Sequence, residues 1–289
     1  MPRPIDHLVL AVRDLDAARA TFQRLGFTLT PVARHPFGTA NSLAQFGGSF
    51  LELLAVAEPA AIPAADGTHF SFGAFNRDFL AGGEGLSMLV LKSKDSAADR
   101  ADFDAHDLRV YEPFGFERIA KGPDGAERKV AFSLTFTSNS RLRRAGFFTC
   151  QHHYPENFWR AEYQHHANGA LDISSAAMVT RDPADFHEFL THFTGQHEMT
   201  ATSLGVTFDL RDGSRVEVLS PIGFRAFYGE DVAPDPRRFL GWRVRVADLA
   251  AVATMLTANH VPFRVVAGAL VVPAHAAHGA ALCFEASQR

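Results

Sequence analysis

The chain has 289 residues, 47% of them hydrophobic and 21% charged, which excludes a disordered polypeptide and leaves room for about two domains. Its 28 Lys+Arg against 32 Asp+Glu give a net charge of −4 without a basic stripe, so the composition argues against a nucleic-acid partner. Two cysteines, Cys150 and Cys283, are too few for a disulfide framework, and both lie in apolar strand-like runs. The N-terminus lacks the apolar core of a signal peptide, and no apolar run approaches the roughly 18 residues of a membrane span. These features predict a cytoplasmic protein away from membranes. The 26 Phe against 4 Tyr and 2 Trp point to dry cores or an apolar cavity, because Phe has no polar tip.

In chain order, Ile5 to Val12 reads as a strand and is followed by a helix with Leu15, Ala18, Phe22 and Leu25 on one face. Gly26 ends that helix, at the position where a positive φ costs glycine nothing. Extended segments follow at 27–34, 39–46 and 49–56, with Gly47-Gly48 as a turn. Residues 58–84, rich in Pro, Gly, Ala and Phe, form an insert over the mouth of the predicted cavity. The same grammar then returns less regularly, with a strand at 86–91, a weak helix at 96–106 and strands at 109–120, 128–137 and 147–152. It returns again from Ile173, where Asp182-Pro183 starts a helix and Gly195 ends it, and strands follow at 203–210 and 215–219. The last copy runs from the strand 239–246 through an Asp248-capped helix to short strands at 263–266, 269–272 and 281–285. Four strand–helix–strand–strand–strand units result, ~72 residues each. One such unit cannot bury its sheet face alone, so the units pair. The predicted fold class is α+β, with four βαβββ modules paired into two domains, 1–166 and 167–289, each with a curved mixed sheet.

A βαβββ module used in pairs resembles the vicinal oxygen chelate superfamily, which includes glyoxalases, extradiol dioxygenases and bleomycin-resistance proteins. The matching stretches are Ile5-Asp6-His7-Leu8-Val9, His35-Pro36-Phe37-Gly38-Thr39-Ala40-Asn41, Phe50-Leu51-Glu52-Leu53 and Phe147-Phe148-Thr149-Cys150-Gln151-His152-His153. The resemblance implies a small-molecule substrate and a divalent metal (Zn, Ni, Mn or Fe) held by side chains on the first and last strands of the modules.

Strand alternation places His7 with Val9 and Ala11, and Glu52 with Phe50 and Leu54, so each is a polar group on an apolar face. Burying either unpaired would be costly, and a metal, or each other, would resolve that cost. Parity from Gly146 turns Cys150 and His152 inward, with His153 as the alternative if the strand bulges. The expected metal ligands are therefore His7, Glu52 and His152, with Glu52 or a water as candidate base and His152 beside it in a catalytic role. Expected substrate contacts are His35, Asn41, Ser87 and Arg160. Ser87 stands where the second unit would match His7 and is a poor ligand. The guanidinium fork of Arg160 suits a carboxylate. Glu285 on the final strand lacks first-strand histidines to join it, because the corresponding positions fall near Ser174-Ser175 and Gly241-Trp242.

The reaction this implies is glyoxalase-like isomerase or lyase chemistry on a small oxygenated substrate. An extradiol-type dioxygenase and a metal-free binding or resistance protein stand as alternatives. The sequence leaves open whether modules pair within one chain or across a homodimer.

Overall fold

Each of the four units opens on a strand that hands over to a helical segment started by an aspartate, which in the third unit is a 3-10 turn, Pro183–Phe186, leading into the α-helix. β1 (Ile5–Ala11) is buried along its length, and the Asp14 side chain then accepts from the Ala17 amide to start α1 (Leu15–Arg24). The helix stops at Gly26, whose φ of 86° lies in the left-handed region. The first unit continues with β2 (Ala33–Arg34), β3 (Thr39–Gln45) and β4 (Phe50–Val56). In this computed structural model, which describes residues 2–121 and 125–287, the insert contains a helix, α2 (Phe72–Ala81), capped by Ser71. The second unit comprises β5 (Gly85–Lys92), the Asp95-capped α3 (Ser96–Ala105), β6 (Arg109–Val110), β7 (Phe114–Lys121), β8 (Glu127–Ser138) and β9 (Gly146–His152). A short helix, α4 (Pro155–Phe158), follows.

The third unit holds β10 (Ala170–Val179), α5 (His187–Thr194), β11 (Thr200–Thr202), β12 (Gly205–Asp209) and β13 (Arg215–Leu219), and ends in α6 (Pro221–Tyr228). The fourth holds β14 (Arg238–Val246), α7 (Leu249–Ala258), β15 (Arg264–Val266), β16 (Ala269–Val272) and β17 (Ala281–Ala286).

The strands form two mixed sheets. The first has nine strands in the order β2-β3-β4-β1-β5-β9-β8-β6, with β7 paired to β8; the second has eight, in the order β11-β12-β13-β10-β14-β17-β16-β15. In each sheet the opening strands of two units run antiparallel side by side at the centre, and each pairs in parallel with the closing strand of its own unit. The fold class is thus the expected α+β arrangement of paired modules.

Local expectations differ in a few places. The segment predicted as a strand over 27–34 forms a strand only at Ala33 and Arg34, with a further backbone hydrogen bond from the Thr30 amide to the Leu43 carbonyl, and Pro31 within it has no N–H to donate. The strand predicted over 109–120 is broken into β6 and β7 around Pro113. α2 and α6 were not anticipated as helices. α6 starts where Ser220 accepts from the Gly223 amide with Pro221 in the first turn, a capping signal visible in the sequence.

One face of each sheet shares a single apolar core with the helices, and residues of all four units contribute to it. Phe103 meets Phe193 at 5.9 Å, Phe147 meets Phe239 at 5.8 Å, and Phe27 meets Trp242 at 6.1 Å between ring centroids. The opposite face of each sheet has an apolar cluster of its own. Among the described residues, no helix is long and apolar enough to cross a membrane.

Candidate active site

The face of the first sheet turned away from the shared core lines a small chamber. Phenylalanine is the commonest residue in its walls, including Phe37, Phe50, Phe72, Phe116, Phe132 and Phe148, and its volume is about 50 Å³. It is a phenylalanine-rich cavity of the kind the Phe surplus suggests, with His7, His35, Asn41, Glu52 and Arg118 set into it. The insert contributes to it directly, through Phe72 on α2.

β4 keeps strict alternation. Leu51 and Leu53 enter the shared core, while Phe50, Glu52 and Leu54 face the chamber side. β1 does not. Ile5 pairs with Leu91 and His7 with Val90, so a bulge sets two residues against one between them. Ile5 and Leu8 both enter the shared core, and Asp6 and His7 are left to turn the other way together.

The site therefore begins with a residue that alternation alone passes over. One oxygen of Asp6, Oδ2, accepts from Nδ1 of His7 at 2.7 Å and lies 3.2 Å from Nε2 of His152. Burial opposes ionisation of Asp6, but the two imidazoles outweigh it and hold the carboxyl below the usual carboxylate range. With Nδ1 engaged, His7 turns Nε2 toward Glu52, 3.8 Å from Oε2. The His7 ring stacks on Phe50 at 4.2 Å and meets the edge of Phe148 at 5.6 Å.

Glu52 is held from the other side by the Asn41 amide, which donates to Oε1 at 2.6 Å. Burial raises its pKa, against the opposing pull of His7, Asn41 and Arg118. Asn41 also donates to Nε2 of His35 at 3.3 Å, and Nδ1 of His35 faces the Thr39 hydroxyl at 2.8 Å. Burial, aided by the charges of Arg118 and His7, pushes the His35 pKa down to about 3, so this imidazole is neutral.

His7, Glu52, His35 and Asn41 are thus brought together around one chamber. His152 points to the same side of its strand as Cys150, and its neighbour His153 points away, to the Ser133 hydroxyl at 2.8 Å. The three expected ligands nevertheless do not meet at one point, because Asp6 stands between the two imidazoles. Among the described residues, the trio whose donor atoms lie within 4.8 Å of one another is Asp6, Cys150 and His152. In that trio burial raises the Cys150 pKa well above its usual value, and Nδ1 of His152 is buried without a hydrogen-bond partner.

Ser87 requires correction as a substrate contact. A second bulge, between Val9 and Leu10, falls at its position, and its hydroxyl donates to Oδ1 of Asn76 on α2 at 2.7 Å. It ties the insert to the sheet and does not line the chamber. Arg160 lies outside the chamber, in an adjoining cleft of about 290 Å³, with its guanidinium on Glu162 at 3.1 Å. Arg118 on β7 lines both spaces, and in the sequence it is one of several charges on the strand expected over 109–120.

A divalent ion fits part of this arrangement. Nε2 of His7 and the Glu52 carboxylate are one imidazole and one hard oxygen donor, a pairing that suits Zn, Ni, Fe or Mn. Their 3.8 Å separation lies within the roughly 4.2 Å that two bonds of about 2.1 Å can bridge. The second module adds no donor at the matching place, since Val90 pairs with Phe148 as Val9 pairs with Glu52.

The second sheet fills the corresponding positions differently. Glu217 pairs with Ala177 as Glu52 pairs with Val9, and Ser175 stands two residues before, where His7 stands in the first sheet. The space between is filled by Arg243. Its Nε lies 3.3 Å from Glu217, its Nη1 lies 3.7 Å from Glu285, and its guanidinium lies over the Tyr228 ring at 4.7 Å.

The glyoxalase-like domain family model matches residues 5–194. No curated protein matches the sequence. Among solved structures, a hypothetical protein from Staphylococcus aureus superposes with a TM-score of 0.69 at 14% identity, covering 98% of this chain and 99% of that one. The Mn(II)-bound glyoxalase from Novosphingobium aromaticivorans gives a TM-score of 0.55 at 14% identity, over 99% of this chain and 83% of that one. The 2,2',3-trihydroxybiphenyl 1,2-dioxygenase from Sphingomonas wittichii gives 0.54 at 12% identity, over 99% and 91%. At such identities the likenesses show the fold.

Proposed function

The chain belongs to the glyoxalase-like domain family of the vicinal oxygen chelate superfamily, and from that premise we propose that its first sheet carries a metal-dependent site for glyoxalase-like proton transfer on a small oxygenated substrate. One observation carries the reading. His7 and Glu52, both buried, face each other at 3.8 Å across a chamber walled with phenylalanine, and each is anchored from behind by a polar neighbour. Such a pair has no packing role that an apolar residue would not fill better.

His7 and Glu52 would hold the ion, which supplies Lewis-acid polarisation of a substrate carbonyl or hydroxyl oxygen. Asp6 fixes the His7 ring so that Nε2 stays aimed into the chamber. Glu52 accepts the proton of the hydroxyl-bearing carbon next to the substrate carbonyl and returns it to the carbonyl carbon, while the hydroxyl proton passes to the former carbonyl oxygen. The net change is an isomerisation in which no electron leaves the substrate. Burial raises the Glu52 pKa toward the range in which a carboxylate is an effective base. Asn41 orients the carboxylate through Oε1 and leaves Oε2 toward His7. The phenylalanine walls keep bulk water from competing for that proton.

The test is deuterium exchange at the carbon beside the carbonyl of small α-hydroxycarbonyl compounds, followed by NMR in heavy water with Mn(II) or Zn(II) present. Wild-type protein is expected to catalyse exchange, and Glu52→Gln to lose it by at least about a hundredfold. Equal exchange in both proteins would contradict the assignment.

A second reading, a metal-free binding protein, is favoured by Met88 and Phe148, the apolar residues that the second module turns toward the site. Metal analysis of protein purified without a histidine tag separates the two. About one ion per chain, lost in His7→Ala, supports the enzyme.

A further inference from the structure

The inner chamber is small. At about 50 Å³ it holds little more than a two-oxygen head group, whereas ligand sites ordinarily occupy several hundred cubic ångströms. The rest of any substrate must lie elsewhere. The adjoining cleft of about 290 Å³ shares Asn41, Leu43, Arg118 and Phe158 with the chamber, so it is the continuation available to a longer molecule.

Arg34, Arg118, Arg128 and Arg160 line that cleft and no Asp or Glu does, although Arg34 reaches Glu58 at 3.2 Å and Arg160 reaches Glu162 at 3.1 Å outside the lining. Arg118 is the arginine common to both spaces. Its Nε is buried without a hydrogen-bond partner. A buried donor left unpaired is costly unless a ligand completes it. A guanidinium offers a planar fork matched to a carboxylate or phosphate, and an electropositive cleft with low-dielectric walls concentrates anions.

Resting on the reading of the chamber given above, we propose that the substrate carries an anionic tail, a carboxylate or phosphate, that lies in this cleft on Arg118 while its oxygen-bearing head enters the chamber. Arg118 is then the residue that selects for the tail. Arg128, Arg160 and Arg34 lie further along the same cleft, the last two already on Glu162 and Glu58, so the selection falls to Arg118. Asn41, at the shared wall, meets the head, since it also orients Glu52.

Calorimetric titration with two series of probes tests this, using the full chain loaded with Mn(II). One series is 2-oxo-monocarboxylates, and the other is 2-oxo-dicarboxylates matched to them in chain length. An ω-phosphate in place of the second carboxylate distinguishes the two kinds of tail. At the best chain length, the tailed probe is expected to bind at least about tenfold more tightly than its tail-less match. That ratio should shrink as salt is raised, collapse toward one in Arg118→Met, and return in part in Arg118→Lys. The ratio is read within each protein, and its salt dependence in the wild type needs no variant to fold. A ratio near one in the wild type, or one unchanged in Arg118→Met, overturns the proposal while leaving the chamber assignment standing. Failure of both series to bind the wild type overturns both.

Discussion

Asp6 joins two imidazoles that lie far apart in the chain. Its Oδ2 serves His7 at 2.7 Å and His152 at 3.2 Å, so the orientation of both rings depends on one buried carboxylate. Replacing it by asparagine removes the charge that both rings face. Asp6→Asn is therefore expected to cost about 2 kcal/mol of stability, measured by urea unfolding, and to weaken metal retention at His7. Unchanged stability would show that the two contacts contribute nothing. His35 gives a prediction in pH. The unfolded chain binds a proton there as pH falls through the usual value of 6.5, and the folded chain does not until about 3. The unfolded state thus holds more protons across that window, and stability falls as the pH falls, by at most about 1.4 kcal/mol per unit. The raised pKa of Glu52 acts in the opposite sense, so the measurement is a difference. His35→Gln should flatten the stability profile between pH 6.5 and 3 relative to the wild type. Parallel profiles would contradict the neutral, buried assignment.

At the scale of the element, the readable positions were those on strands that alternate without interruption. Glu52 on β4 and His152 on β9 could be turned to the correct side from sequence, because each strand keeps its period. β1 bulges at Asp6, and a period-two reading has no place for two adjacent residues on one face. The same limit misplaced Ser87, beside the second bulge of the β1–β5 pair. Arg118 was hidden for a different reason. Its role depends on β7 folding back over β8 beside the chamber, a long-range placement that nothing local to residues 114–121 encodes. α2 shows the opposite case, since Ser71 caps it in the ordinary way and Phe72, Phe75 and Phe79 follow at helical spacing. The Ser87–Asn76 hydrogen bond holds this helix to β5, and Asn76 in turn donates to the Phe72 carbonyl. Ser87→Ala leaves a buried amide oxygen without that donor. It is expected to cost about 1–3 kcal/mol in chemical denaturation without altering the preference for tailed over tail-less probes. A change in that preference would return Ser87 to the substrate.

For the whole molecule, four copies of one unit have been used unequally. The first sheet keeps a carboxylate and an imidazole facing a chamber. In the second sheet Ser175, Glu217 and Arg243 form a closed polar cluster, with the Ser175 hydroxyl on Glu217 and the guanidinium where the chamber would be. The repeat itself was legible, because each copy carries its own strand and helix signals. Which copy retained chemistry was visible only in part: Gly213-Ser214-Arg215-Val216-Glu217-Val218-Leu219 repeats the pattern of Gly48-Ser49-Phe50-Leu51-Glu52-Leu53-Leu54, which marks Glu217 as the match of Glu52, but the placement of Arg243 beside it is long-range and not encoded locally. The two sheets also share one apolar core, in which Phe147 touches Phe189, Phe193 and Phe239 at 4.9, 5.3 and 5.8 Å. Unfolding should accordingly be a single calorimetric transition. Phe147→Ala is expected to lower it by about 3–5 kcal/mol without splitting it. Two separate transitions would mean that the sheets fold as independent units.

The chemistry of the chamber depends on what His7 and Glu52 hold between them. The most direct measurement is anomalous diffraction from crystals of the full chain grown with Mn(II). The expected result is one peak within bonding distance of both Nε2 of His7 and the Glu52 carboxylate, absent in Glu52→Gln. A peak placed instead among Asp6, Cys150 and His152, or no peak in the chamber, would contradict it.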